Sequence, residues 1–272
     1  MIRSIKRLTL FNLAICLAIF FAACKNSAPN STSAPGEQSG SGGLANTFSK
    51  NGCYNAYYPA TPTLRKTYRT TFAGNGLPPS THTESTTEIT SEGFKQVMEF
   101  APHQGKTNSG ELRVEHGFKC TAAGIAALET ASLTSGKDMK FKFKTIKAQG
   151  VSFPAESEWK PGKKWQMQFE VEGEMSQEMT KGSPLGNIAP KGTITMDCEI
   201  LGAESVTTPA GSFETMKVLM TINNNLKMNM MGREIPMNNS FKSHAWFAKD
   251  VGMVKSTLED LKSGTELIEL KK

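Results

Sequence analysis

Apolar and polar residues alternate with a period of two along most of the chain after residue 50. From Leu112 to Cys120 the even positions are apolar apart from His116, while most odd positions are charged. The same alternation recurs from Trp165 to Val171 and from Ile194 to Ile200. Because successive side chains of a β-strand point to opposite faces, this pattern predicts half-buried strands. Such strands are typical of antiparallel sheets.

Further segments with strand composition are separated by Gly and Pro at turn spacing. They are Arg65 to Phe72, Ser85 to Thr90, Lys95 to Phe100, Met139 to Ile146, Glu214 to Ile222, Leu226 to Met230, Asn239 to Phe247, Met253 to Leu258 and Thr265 to Leu270. Only Ala122 to Leu133 has helical composition. Since no alternation of strands with helices is present, the sequence predicts an all-β barrel or sandwich with at most one short helix.

The N-terminus has the form of a bacterial secretion signal. Three basic residues precede an apolar run from Leu8 to Ala23, which is interrupted only by Asn12. A helix of that length covers about 24 Å, short of the roughly 30 Å of a bilayer core, so cleavage is favoured over spanning. The run ends in Ala22-Ala23-Cys24, which resembles a lipobox. We predict a signal peptide over residues 1–23 and lipidation of Cys24; a chance Cys after an ordinary signal is the alternative.

Residues 24–50 are rich in Ser, Gly, Asn and Pro and predict a flexible tether with a mean span of about 30 Å. The remaining residues, 51–272, are enough for one all-β domain. Lys25, where an Asp would retain a lipoprotein in the inner membrane of enteric bacteria, favours the outer membrane. The predicted location is therefore the cell envelope, with the N-terminal lipid anchoring the protein to a membrane.

The charge and motif content argue against several functional classes. Removal of residues 1–23 leaves 28 basic and 25 acidic residues, a net charge of +3, too small to favour a nucleic-acid partner. Nucleophile-elbow and phosphate-binding motifs are absent, and no Cys or His pair has zinc-ligand spacing. We therefore predict no enzymatic activity, cofactor or metal. The alternative is an envelope hydrolase that combines His116 or His244 with a carboxylate and a hydroxyl.

Three cysteines remain after the lipidation site: Cys53, Cys120 and Cys198. An exported protein meets an oxidising compartment, where a pair of thiols tends to form a disulfide. Cys53 and Cys120 lie beside turn residues at predicted strand ends, whereas Cys198 alternates with apolar residues. The sequence therefore favours a Cys53–Cys120 disulfide, with Cys198 as a small buried apolar residue.

Methionine is unusually concentrated, with six of the fourteen between Met216 and Met237. Three interpretations remain open: a core that uses methionine, an apolar-ligand surface that exploits its flexible thioether, or a Cu(I) site. An alternating strand face favours the ligand over copper. The candidate ligand-binding face comprises Met216, Val218, Met220, Ile222, Leu226 and Met228.

Several motifs together resemble the TapB-like family of bacterial secreted β proteins. They occur in the family's order along nearly the whole chain after the tether. They are Cys53-Tyr54-Asn55 and Tyr57-Tyr58-Pro59, Phe118-Lys119-Cys120 with Gly124, Val206-Thr207-Thr208-Pro209-Ala210-Gly211-Ser212-Phe213, and Trp246-Phe247-Ala248 with Val251-Gly252-Met253-Val254-Lys255. The resemblance implies a curved antiparallel sheet or incomplete barrel and no established enzymatic activity.

These inferences combine into one functional prediction. We expect a lipid-anchored envelope protein that acts as a structural or binding module, with a lipid or another envelope protein as its partner.

Overall fold

The computed structural model of the protein describes residues 53, 55–73, 78–101, 112–128, 132–134, 141–175, 190–230, 233–260 and 262–272. The predicted signal peptide, Cys24 and the tether lie outside these residues and stay predictions. Within the described part, no helix is long and apolar enough to cross a membrane.

The described residues form fourteen strands and one 3₁₀ turn at Glu156–Glu158. The strands are β1 (Arg65–Phe72), β2 (Ser80–Thr87), β3 (Gly93–Phe100), β4 (Leu112–Thr121), β5 (Gly124–Ala127), β6 (Ser132–Thr134), β7 (Phe141–Gly150), β8 (Phe153–Pro154), β9 (Lys164–Met175), β10 (Pro190–Thr208), β11 (Gly211–Met230), β12 (Arg233–Ala248), β13 (Gly252–Leu258) and β14 (Ser263–Lys271).

All fourteen strands belong to one antiparallel sheet. Its order is β7-β9-β10-β11-β12-β13-β14-β1-β2-β3-β4-β5-β8, and β6 pairs with β4 beside that path. The sheet is open, because the ladders among the described residues do not join β7 to β8. The predicted all-β fold with a curved antiparallel sheet is therefore confirmed, as an incomplete barrel and not a sandwich.

The two edges of the sheet are connected by a very short piece of chain. β7 ends at Gly150 and β8 begins at Phe153, so only two residues separate strands from opposite edges. Ser152 in this connection donates its backbone N–H to the Ile125 carbonyl at 2.7 Å and accepts the Ala127 N–H on its Oγ at 3.1 Å. The sheet must therefore curl until its edges meet, which leaves an enclosed inner face.

Register shifts help the sheet to curve. They interrupt the pairing of β1 with β14 at Thr67/Tyr68, of β10 with β11 at Ile200/Gly202 and of β12 with β13 at Trp246/Phe247. A bulge of this kind bends its strand and increases the local twist. The bulges therefore supply curvature along the path that brings β7 round to β8.

The core lies on the inner face of the curled sheet. Its largest cluster is formed mainly by β9 to β12 and includes Val171, Ile194 and Val218, each about 1% exposed. A second cluster surrounds a disulfide between Cys53 and Cys120, the pairing that the sequence favoured. The bond fastens the segment before β1 to the end of β4, and Cys198 is a buried free thiol.

Ala122 to Leu133, the one segment of helical composition, forms no helix in the residues that the structure describes. Residues 122 and 123 form a turn, residues 124–127 form β5 and residues 132–134 form β6, and both strands pair with β4. Ala and Leu favour helices by intrinsic propensity, but cross-strand pairing overrides such a weak preference. Gly124, at φ +132°, opens β5 where its absent Cβ would meet the Phe153 carbonyl oxygen at 2.2 Å.

Candidate functional site

The inner face encloses a cavity of about 160 Å³ that is partly open to solvent and mostly apolar. Strands from both halves of the sheet contribute to its lining. We call Met167, Met196, Cys198, Met220 and Met253 the sulfur-rich wall, which comes from β9, β10, β11 and β13. We call Lys66, Glu84, Gln96 and His116 the polar wall, which comes from β1 to β4.

The sulfur-rich wall is built by cross-strand pairing. Met196 of β10 lies opposite Met167 of β9, and Cys198 lies opposite Met220 of β11. Met196 and Cys198 are almost fully buried. Burial, assisted by the charge of Asp197, raises the pKa of the Cys198 thiol to about 12, so the group stays protonated and acts as an apolar surface.

The polar wall is a hydrogen-bonded cluster with an ion pair at its centre. The Lys66 ammonium lies 3.0 Å from Glu84 Oε2, and both side chains are less than 10% exposed. Gln96 Nε2 donates to the same Glu84 oxygen at 3.1 Å. Tyr58 Oη donates to Gln96 Oε1 at 2.7 Å. Adjacent strands place this cluster, because Lys66 pairs with Glu84 and Gln96 pairs with His116.

The charges on the polar wall are fixed near neutral pH. Burial alone would raise the pKa of Glu84, but Lys66 and then His82 outweigh it and lower this pKa to about 2. Burial lowers the pKa of His116 to about 4, against a smaller opposing effect of Glu84. The wall therefore presents an ammonium, a carboxylate and a neutral imidazole to the cavity at pH 7.

The structure divides the predicted ligand-binding face. Val218 and Met220 line the cavity. Met216 packs against the largest core cluster, while the other predicted residues are buried members of it: Ile222, Leu226 and Met228. The alternation that grouped these residues on one face is therefore confirmed from Val218 to Met228, whereas their role in binding stays a prediction.

The two histidines of the alternative enzyme prediction lie apart. His244 is off the cavity, with Nδ1 3.1 Å from Glu259 Oε1. His116 lines the cavity together with Glu84 and the hydroxyl-bearing Ser243 and Ser256. The described hydrogen bonds do not join His116 to either serine. The residue types needed for hydrolysis therefore share a cavity without forming the bonded relay that would activate a nucleophile.

Sequence reasoning missed three residues of the polar wall: Lys66, Glu84 and Gln96. A charged side chain in an alternating segment is typical of a solvated face, so the sequence predicts that Lys66 is exposed to solvent. A signal was nevertheless present, because Lys66 shares the parity of Tyr68 and Phe72, which are buried. The pairing of Lys66 with Glu84 depends on the register between strands and is not visible in either segment alone.

Metal binding has little support in the described residues, where no three His, Cys, Asp or Glu side chains form a group able to hold an ion. The methionines between Met216 and Met237 have no partnering His or Cys nearby along the chain, which argues against Cu(I). In the structure Cys198 lies opposite Met220. A test of apolar-ligand binding in this cavity therefore needs a control in which Cu(I) is removed.

Comparisons with known proteins place the chain in a family. No curated protein matches it. A protein of Bacteroides fragilis described as exported, with a YmcC-like fold, is 16% identical, with 80% of this chain and 100% of that chain covered and a TM-score of 0.46. A protein of Parabacteroides distasonis described as a lipoprotein is 15% identical, with 80% and 99% covered and a TM-score of 0.43.

A family match covers more than half of the chain. Residues 107–267 match the DUF3108-like family. These residues include the whole sulfur-rich wall and His116, while Lys66, Glu84 and Gln96 precede them. The TapB-like name that the motifs suggested is not confirmed. The chain belongs to the DUF3108-like family.

Proposed function

We propose that the protein is a non-enzymatic, lipid-anchored module of the cell envelope whose cavity binds an apolar group. The observation that carries this proposal is the partly open, mostly apolar cavity on the inner face of the sheet. Protein interiors are close-packed, and voids larger than a water molecule are few. A cavity of about 160 Å³ in the middle of the fold therefore favours an occupant over a purely structural role.

The volume limits the size of that occupant. An engineered apolar cavity of about 150 Å³ accepts benzene. The cavity here is similar in volume, so it suits a ring or the end of an acyl chain and not a whole lipid. We propose that a larger ligand inserts one apolar end and leaves the rest at the open side.

The composition of the lining supports an adaptable site. Four of the five residues of the sulfur-rich wall are methionines. Methionine has three rotatable bonds and a polarisable sulfur, so it can adjust to ligands of different shape. The lining therefore suits a class of apolar groups rather than one rigid molecule.

The proposed anchor would keep the cavity close to a membrane surface. A lipid on Cys24 and the tether of residues 24–50 would hold the domain about 30 Å from the headgroups. The apolar groups within reach of a domain on such a tether belong to envelope lipids and lipid-bearing envelope proteins, which we propose as partners. Lys25 supports an outer-membrane location over the inner membrane.

Toluene binding tests the proposed function directly. We expect wild-type protein to bind toluene saturably and to unfold at a higher temperature in its presence. Met220→Lys should abolish this shift, because it places an ammonium in the cavity. Leu201→Lys makes a similar change at a side chain that is 44% exposed and should bind toluene as wild type does. A wild-type protein that toluene leaves unchanged would contradict the proposal.

Two further measurements separate the competing functions. Methyl benzoate should remain intact during incubation with the protein; release of benzoate that is lost in His116→Gln would establish the hydrolase instead. Toluene should also bind in the presence of a Cu(I) chelator. A requirement for Cu(I) would point to a metal site and would overturn the apolar-ligand proposal.

A further inference from the structure

The cavity has two chemically different walls, and burying the charges of the polar wall costs desolvation free energy. Lys66 and Glu84 are 6% and 7% exposed. Removing two charges from water costs several kcal/mol each, and a buried ion pair is often no more stabilising than apolar residues of the same volume. Stability of the fold therefore does not account for an ion pair facing an otherwise apolar cavity.

Two side-chain oxygens of the polar wall already accept hydrogen bonds within it. Glu84 Oε2 accepts from both Lys66 and Gln96, and Gln96 Oε1 accepts from Tyr58. Donors remain in excess, because a Lys ammonium has three N–H groups and a Gln amide has two. Glu84 accepts one N–H from Lys66 and one from Gln96, so further N–H groups of both residues remain. The wall therefore suits a ligand that brings a hydrogen-bond acceptor.

The charge balance of the wall decides what kind of acceptor fits. The positive charge of Lys66 and the negative charge of Glu84 lie 3.0 Å apart and cancel at a distance. A carboxylate in the cavity would lose its hydration and would meet Glu84 as well as Lys66. A carbonyl loses much less hydration and can accept from the same donors. An uncharged acceptor is therefore favoured over an anion.

We infer that the cavity selects amphiphiles that carry an uncharged carbonyl, such as the ester of an acyl chain, with the carbonyl on the polar wall and the apolar part against the sulfur-rich wall. Lys66 and Gln96 donate to the carbonyl oxygen. His116, paired with Gln96 across β3 and β4, borders the same group. This inference rests on the proposed function and adds the class of ligand.

Three probes of similar size test the ligand class: toluene, methyl benzoate and benzoate. A hydrogen bond from a charged donor supports a preference of about tenfold for methyl benzoate over toluene in wild type. Benzoate should bind at least tenfold more weakly than methyl benzoate. Measurements on wild-type protein are enough to overturn the inference. Equal affinity for toluene and methyl benzoate would do so, and so would tighter binding of benzoate than of methyl benzoate.

A paired substitution locates the preference on the polar wall. Lys66→Met combined with Glu84→Gln removes both charges together, so neither is left unpaired. The ester preference, which is the ratio of the two affinities within one protein, should fall to about twofold. Arg69→Met with Glu266→Gln makes the same changes at a more exposed ion pair of β1 and β14 and should keep the tenfold preference.

The two proposals fail in different ways. If wild type binds none of the three probes, the proposed function falls and this inference falls with it. If toluene binds but the paired substitution leaves the ester preference unchanged, the cavity binds apolar groups without using the polar wall. That result would overturn the inference and leave the proposed function standing.

Discussion

Single residues of the polar wall hold the most specific chemistry in the molecule. Glu84 is held ionised by Lys66 and His82 although it is buried. Its folded pKa of about 2 lies below the ordinary value, so its contribution to stability is present above about pH 4 and is lost as the pH falls through 2. Glu84 therefore stays ionised at every pH above about 4.

His116 makes the protein less stable in mild acid. Its folded pKa of about 4 lies below the unfolded value of about 6.5, so the unfolded chain binds the proton more readily. The stability is fully present above pH 6.5 and falls as the pH drops toward 4. Between pH 7.5 and 5 we expect a loss of about 2 kcal/mol from this residue.

Urea unfolding of wild type and His116→Gln at both pH values measures this loss. The other titrating groups are common to the two proteins, so the difference between their pH dependences isolates His116. The variant should lose about 2 kcal/mol less than wild type. Identical pH dependences would show that the imidazole is not held neutral by burial.

Residue-level sequence reasoning found two apolar residues of the cavity, Val218 and Met220, and missed every residue of the polar wall except His116. Val218 and Met220 stood out because alternation with apolar neighbours marks a buried face. Lys66 and Glu84 also occupy inward positions of alternating strands. A charged side chain is nevertheless predicted to face solvent unless its partner is known. The partner lies on a neighbouring strand, and pairing between strands is information that neither strand holds alone.

At the scale of elements, strands with apolar alternation were predicted well and polar strands less well. β1, β3 and β13 match their predicted segments closely. β2 was predicted over Ser85 to Thr90 but runs over Ser80–Thr87, since its inward positions are Ser80, His82 and Glu84 rather than apolar residues. β11 is one strand, because Asn223 to Asn225 continue its pairing with β12 where two strands were predicted.

The turn that joins the sheet edges depends on Gly150. This residue has φ +83°, and a Cβ there would lie 2.0 Å from the Gln166 carbonyl oxygen. We expect Gly150→Ala to lower the free energy of unfolding by about 3 kcal/mol, from backbone strain together with displacement of β9. Denaturant unfolding measures the change.

Gly162 provides a matched control for this substitution. It has nearly the same φ, +82°, but a Cβ there would have no atom within 4 Å. Gly162→Ala should therefore cost only the backbone strain, about 1 kcal/mol. Equal losses for the two variants would show that close approach of β7 to β9 at Gly150 does not constrain the fold.

At the scale of the whole molecule, one sheet forms both the fold and the cavity. The two-residue connection from β7 to β8 brings opposite edges of the sheet together, and Ser152 of that connection lines the cavity. The polar and sulfur-rich walls come from strands distant in sequence. Sequence patterns predicted an all-β barrel or sandwich, and the family resemblance implied a curved sheet or incomplete barrel. Neither could predict which strands face each other across the interior.

Methionine-methyl NMR tests the central claim, binding of an apolar group in this cavity, most directly. In protein labelled with [¹³C]methyl-methionine, toluene should shift the signals of the five lining methionines, Met98, Met167, Met196, Met220 and Met253, along one saturable curve. Met228 and Met237 are buried outside the lining and should shift little. A titration in which the cavity signals stay fixed, or in which all methionine signals drift without saturation, would contradict the account.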